Sequence, residues 1–179
     1  MRDCAHSGHE SFELSNGEMT ITDNRFPLAP LSKYSGAFRW EGVERRPYKD
    51  AAAAPFKAIS RQTLASDPRL AGELRYFEID PGGFSTLERH EHMHVVMALR
   101  GSGSCLIGDA VYALGAHDLV TIEPMIWHQF RARRDAPLGF LCLVNAARDR
   151  PQLPTEADLA ALRRSPEAAA FLDGLIEPS

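Results

Sequence analysis

The residues best suited to chemistry crowd into one short stretch. Glu88-Arg89-His90-Glu91-His92-Met93-His94 carries three imidazoles and two carboxylates, and Ile126-Trp127-His128-Gln129-Phe130 adds a further imidazole downstream. Imidazole and carboxylate together form a ligand set for one divalent ion, and Mn, Fe, Ni, Zn or Cu would all be served by it. Alternate side chains on a strand share a face, so Glu88, His90, His92 and His94 would line up on an extended segment. Distance then separates them: positions i and i+2 lie about 6.6 Å apart along a strand, and i and i+4 about 13 Å. Ligand atoms must come within about 2.0–2.2 Å of a zinc-like ion. Glu88 and His90 can therefore converge from a straight strand, whereas His94 requires a turn after His90. A lone histidine is more often a solvated polar position, but three within five residues, followed by His128, favour a metal site.

The elements that must hold these groups are short and β-rich. Strand-like runs follow one another at Phe56–Leu64, Leu74–Ile79, Phe84–His90, His94–Arg100, Ser104–Ile107, Ala110–Leu114, Leu119–Ile122, His128–Ala132 and Phe140–Val144. Turn signals fall between them at Ser66-Asp67-Pro68, Asp80-Pro81-Gly82-Gly83, Gly101-Ser102-Gly103, Gly108-Asp109, Gly115, Pro124 and Asp135-Ala136-Pro137. Many short strands without helical patterns between them predict an all-β sandwich or barrel. Gly108-Asp109 predicts a tight hairpin. Val96 and Ala98 share parity with His94, and Phe130 with His128, so these three are expected to line an apolar pocket beside the metal.

Both flanks differ in texture. Residues 1–50 are polar and mixed, with a strand-like piece at Glu18–Thr22 and with Phe38 and Trp40 set among charges. That segment suits an arm folded over its own barrel or one packed on a partner subunit. Residues 151–179 turn helical. Thr155 with Asp158 forms a capping box ahead of Leu159 and Leu162, and Ser165-Pro166-Glu167 opens a second helix that would bury Phe171, Leu172 and Leu175. These helices are expected to pad the outside of a barrel spanning residues 51–150.

Composition narrows the possibilities. The 179 residues suit one domain, and 44% apolar residues can fill its core. A formal net charge of -4 offers no case for binding nucleic acid or an anionic membrane. Arg131, Arg133 and Arg134, the nearest approach to a basic patch, suit a solvated strand end. There is neither an apolar leader at the N-terminus nor a run of about 18 apolar residues, so a cytoplasmic protein is expected. Cys4, Cys105 and Cys142 are widely spaced, and the latter two sit in apolar runs as buried reduced thiols. His117 reads as a surface residue, and His6 and His9 belong to the N-terminal tail.

Pro81-Gly82-Gly83-Phe84-Ser85-Thr86-Leu87-Glu88-Arg89-His90-Glu91-His92-Met93-His94, six residues and then Gly101, resembles the first motif of the cupins. Asp118 to His128, with Pro124 in its turn, resembles the second. The resemblance implies a jelly-roll β-barrel holding one divalent metal ion, commonly as a homodimer. It implies His90, His94 and His128 as ligands, counting back from Gly101. Glu88 stands where a histidine is usual. Glu88 then ligates through its carboxylate, or the register slips and His92 takes part, or water completes a three-histidine site. Met125 and Glu123-Pro124 also depart from the usual turn of the second motif. Cupins include dioxygenases, isomerases and lyases as well as non-catalytic proteins. The expectation is a metal-dependent enzyme acting on a small organic molecule, with Glu88 or Glu91 as general base where not a ligand. The alternative is a binding or sensing module for a small ligand.

Overall fold

The computed structural model describes residues 28–49 and 55–175. Cys4, His6, His9 and the strand-like piece at Glu18–Thr22 lie outside the described residues, as does the alanine run at 51–54. Ten strands and two short α-helices follow in order: β1 (Tyr34–Gly36), β2 (Arg39–Trp40), β3 (Arg45–Pro47), β4 (Lys57–Asp67), β5 (Gly72–Phe84), β6 (His94–Ile107), β7 (Ala110–Gly115), β8 (Leu119–Ile122), β9 (His128–Ala132), β10 (Leu138–Asn145), α1 (Glu156–Leu162) and α2 (Pro166–Leu172).

All the pairings are antiparallel and they close on themselves. β10 pairs with both β5 and β6, β6 pairs with β9, and β9 returns to β5 through Phe84 and Arg131. A closed sheet leaves fewer unpaired edges, and every inward residue contributes to one core. Ile59, Phe77, Ile79, Val96, Ala98, Phe130, Phe140 and Val144 belong to that core. A second cluster joins Leu106 and Trp127 on the barrel to Leu162, Ala168 and Phe171 of the helices, which pad the outside as expected.

Two glycine-rich segments read as turns are strand. His94–Arg100 and Ser104–Ile107 belong to one strand, β6, whose first half pairs with β8 and β10 and whose second half pairs with β7 and β9. Gly101 makes the change of direction at φ +68°, where an added Cβ would stand 1.7 Å from the Pro137 carbonyl oxygen. Only glycine fits there. Asp80-Pro81-Gly82-Gly83 likewise continues β5. Its residues have no ladder partners on β4, where the register jumps from Ile59–Ile79 to Lys57–Phe84, so the missing N–H of Pro81 breaks no bond of that ladder. Conversely, the run expected from Phe84 to His90 leaves the sheet after Phe84.

The N-terminal arm folds over its own barrel. Phe38 stacks on Tyr76 at 5.5 Å, Trp40 meets the same ring at 5.4 Å, and the Arg100 guanidinium lies over Phe38. β3 then pairs with β4 and extends the sheet. At the other end, Thr155 caps α1 with the expected box, and Ser165 caps α2. Leu175 is 75% exposed rather than buried, because α2 ends at Leu172 and Gly174, at φ +70°, turns the chain off the helix axis.

Candidate metal centre

The segment after β5 is an irregular loop, and hydrogen bonds hold its shape. Ser85 N–H donates to the Phe130 carbonyl, Glu88 and His128 exchange backbone bonds, and Arg89 does the same with Gln152. The chain bends at Glu91 and His92 before β6 begins at His94. This is the turn that the ligand distances demanded. His90 sits in the loop, His94 opens β6, and His128 opens β9. The Met125 N–H donates to the His90 carbonyl and ties the loop to the turn before β9.

Ligand-capable atoms of His90, His94 and His128 lie within 4.8 Å of one another. Each ring has its Nδ1 engaged. His90 Nδ1 donates to the His92 carbonyl at 2.7 Å and His128 Nδ1 to the Ile126 carbonyl at 2.9 Å. A carbonyl can only accept, so Nδ1 carries the proton in both rings and Nε2 keeps its lone pair. His94 Nδ1 lies 3.6 Å from Cys142 Sγ. Nε2 of His90 and of His94 is buried without a hydrogen-bond partner. Buried polar nitrogens are seldom left unpaired, and a cation between them would satisfy both. Burial also holds the rings in the neutral form a metal requires, pushing His94 down to about 2 and His128 to about 4, with His90 lowered in the same direction.

Glu88 and His92 lie outside this group of three. Glu88 is buried, lines the cavity in front of the histidines, and forms an ion pair with Lys49. His92 stacks on His90 with ring centroids 3.7 Å apart and bonds Asp149 through Nδ1 at 2.7 Å. His117 is exposed at φ +79° in the turn between β7 and β8.

A small recess of about 40 Å³ runs inward from Glu88, His94 and His128 between Tyr48, Ile59, Phe77 and Phe130. It opens beside a larger cavity of about 230 Å³ on which all of His90, His92 and His94 border. Phe130 lines the recess, while Val96 and Ala98 are buried in the core cluster and border neither space.

Several groups on these walls carried no signal in the sequence. Tyr48 and Lys49 arrive from the arm, Arg61 from β4, Arg75 from β5, Cys142 from β10 and Arg148 from the segment after it. Strand parity could have found two of them. Arg75 pairs with Cys142, and Cys142 with Val96, so all three face the same way as His94 once the register is known. Burial keeps the Tyr48 phenol neutral and pushes the Cys142 thiol up to about 12.

A closed antiparallel barrel with three histidines placed to hold a metal ion is a cupin arrangement, and the chain belongs to the cupin family. Residues 75–144 match the cupin domain model. The chain is 57% identical over 146 residues to 1-methylthio-D-xylulose 5-phosphate methylsulfurylase of Rhodospirillum rubrum, covering 82% of this chain and 94% of that protein. Crystal structures agree. A cupin 2 conserved barrel domain protein from Rhodopseudomonas palustris is 57% identical with a TM-score of 0.75, over 79% of this chain and 97% of that one. A cupin-2 domain protein from Rhodospirillum rubrum is 56% identical with a TM-score of 0.73, over 84% and 99%.

Proposed function

We propose that this chain is a metal-dependent enzyme that removes the methylsulfur group from a 1-methylthio ketose 5-phosphate. The main support is the 57% identity to the Rhodospirillum rubrum methylsulfurylase across 94% of that protein. The two adjoining spaces supply groups suited to such chemistry: four imidazoles, two carboxylates, a thiol, a phenol and a set of cations.

A divalent ion held by His90, His94 and His128, with Glu88 as a further carboxylate ligand, would supply Lewis acidity to the carbonyl beside the carbon–sulfur bond. The remaining work falls to side chains. With Nε2 of His94 committed to ligation, Nδ1 carries the proton and donates to Cys142 Sγ, which favours the thiolate. That thiolate attacks the thioether sulfur. A sulfur–sulfur bond forms, the carbon–sulfur bond breaks, and the electron pair passes to the carbon beside the carbonyl. A proton completes the deoxy sugar, and the neutral phenol of Tyr48 stands on the cavity wall to supply it. A small thiol then exchanges with the methyl disulfide left on Cys142 and frees the residue.

The test is turnover of 1-methylthio-D-xylulose 5-phosphate by metal-loaded protein with a small thiol present, followed by mass spectrometry of the sugar phosphate. Wild-type protein is expected to yield the deoxyketose phosphate. Cys142→Ser is expected to lose about a thousandfold in rate while keeping its metal. No product from metal-loaded wild-type protein would refute the activity, and full activity in Cys142→Ser would refute the role of the thiol.

A further inference from the structure

We infer that Arg61, Arg75 and Arg148, which line one cavity with His90 and His94, form the subsite that takes the phosphate group of a phosphorylated sugar. The sugar phosphate as ligand rests on the proposed function; the anion-binding character of the three arginines rests on their own geometry.

The three guanidinium groups border one cavity with His90 and His94. Their partners are few. Arg75 pairs with Glu73 through Nη2, and its Nε donates to the same carboxylate at 2.7 Å. Arg148 reaches that carboxylate as well, at 3.1 Å, and donates to the Asn145 carbonyl at 2.9 Å. The Arg61 side chain has no hydrogen bond or ion pair among the described residues, and its Nε is buried without an acceptor. Three positive charges facing one carboxylate leave an excess of two, which a phosphate monoester dianion would neutralise. Of the other charged groups on the cavity, Lys49 pairs with Glu88, and Asp149 bonds His92 Nδ1 and accepts from the Glu91 N–H.

Burial makes the imbalance matter. The side chains of Arg75 and Arg148 are only 13% and 23% exposed, so water screens them poorly. Arg61 is pushed down by burial first and then by the like charges of Arg75 and Arg148, against a partial offset from Glu73. A planar fork of donors without an acceptor, held among other cations, is the arrangement that recognises phosphate oxygens.

The spacing suits a short sugar. On β5 Arg75 lies opposite Cys142, and Cys142 opposite Val96, the next inward residue after His94. Arg75 is thus two strands from β6, on the order of 10 Å between backbones. A ketose whose first carbon lies at Cys142 and the histidines would carry its 5-phosphate towards the arginines. A neutral or unphosphorylated sugar would leave the excess charge uncompensated.

The experiment uses inorganic phosphate as the probe, titrated calorimetrically into metal-stripped protein so that a bound ion cannot serve as the anion site. Wild-type protein and Lys57→Gln, an exposed change at the start of β4, are expected to bind equally well. Arg61→Gln is expected to bind about tenfold more weakly and Arg61→Lys to recover part of the loss, with Arg148→Gln as the second variant should Arg61→Gln fold poorly. With the phosphorylated ketose, Arg61→Gln is expected to raise KM while changing kcat little. Equal phosphate binding by wild type, Arg61→Gln and Arg148→Gln would overturn the subsite, as would phosphate binding that requires the metal. Neither outcome bears on whether the protein turns over a methylthio sugar, so the subsite and the proposed activity fail separately.

Discussion

His90, His94 and His128 owe their readiness to what holds the far side of each ring. Backbone carbonyls on Nδ1 of His90 and His128 fix the tautomer, and the Cys142 sulfur lies on that side of His94, which leaves each Nε2 lone pair free for a ligand. Losing one ring removes a third of the imidazole set. His128→Ala is expected to lower metal content at least tenfold in purified protein, measured by elemental mass spectrometry. Glu88→Gln is expected to retain most of the metal but to bind it more weakly, because the carboxylate stands at the edge of the triad and is shared with Lys49. Equal metal content in His128→Ala and wild type would remove that residue from the ligand set. The histidines were legible because their type and crowding are unusual. Cys142 was not, since a cysteine inside an apolar strand looks like core until pairing shows which groups share its face.

The elements place these residues through strand register, and register depends on a few special positions. β8 and β9 were readable to the residue, and the caps at Thr155 and Ser165 were explicit in the sequence. Gly101-Ser102-Gly103 misled because glycine signals a turn and a corner within a strand equally well; only the Pro137 carbonyl packed against Gly101 distinguishes them. At the junction between β4 and β5, Asp67 accepts from both the backbone and the guanidinium of Arg69. Those bonds hold its carboxyl at about 2 in the folded protein, below the ordinary 3.8. The stabilisation is therefore complete above about pH 4 and is lost as pH falls through the folded value. Asp67→Asn is expected to be less stable than wild type at pH 6, with the two unfolding curves converging near pH 2. A difference that stays constant down to pH 2 would contradict the assignment.

At the scale of the whole molecule, the N-terminal arm completes the site rather than decorating the barrel. Phe38 and Trp40 anchor it on Tyr76, β3 extends the sheet, and the chain then delivers Tyr48 and Lys49 to the cavity. The sequence showed aromatic residues seeking a surface but not which surface, because an arm of this composition would serve a partner subunit equally well. Replacing Phe38 and Trp40 together by alanine is expected to cost about 2–3 kcal/mol and lower Tm by roughly 5–10 °C. Activity should fall with it through loss of Lys49 and Tyr48 from the cavity wall; unchanged Tm and turnover would detach the arm from the site. The overall charge of -4 also conceals the local excess of positive charge around Arg61, since net charge sums over the surface and the cavity alike. The central claim is that three histidines hold the ion on which turnover depends. Metal-stripped protein titrated with single first-row metals should regain turnover of the methylthio ketose phosphate in proportion to occupancy, saturating at one ion per chain, and His128→Ala should regain none. Full turnover by the stripped protein, or by His128→Ala without bound metal, would contradict the account.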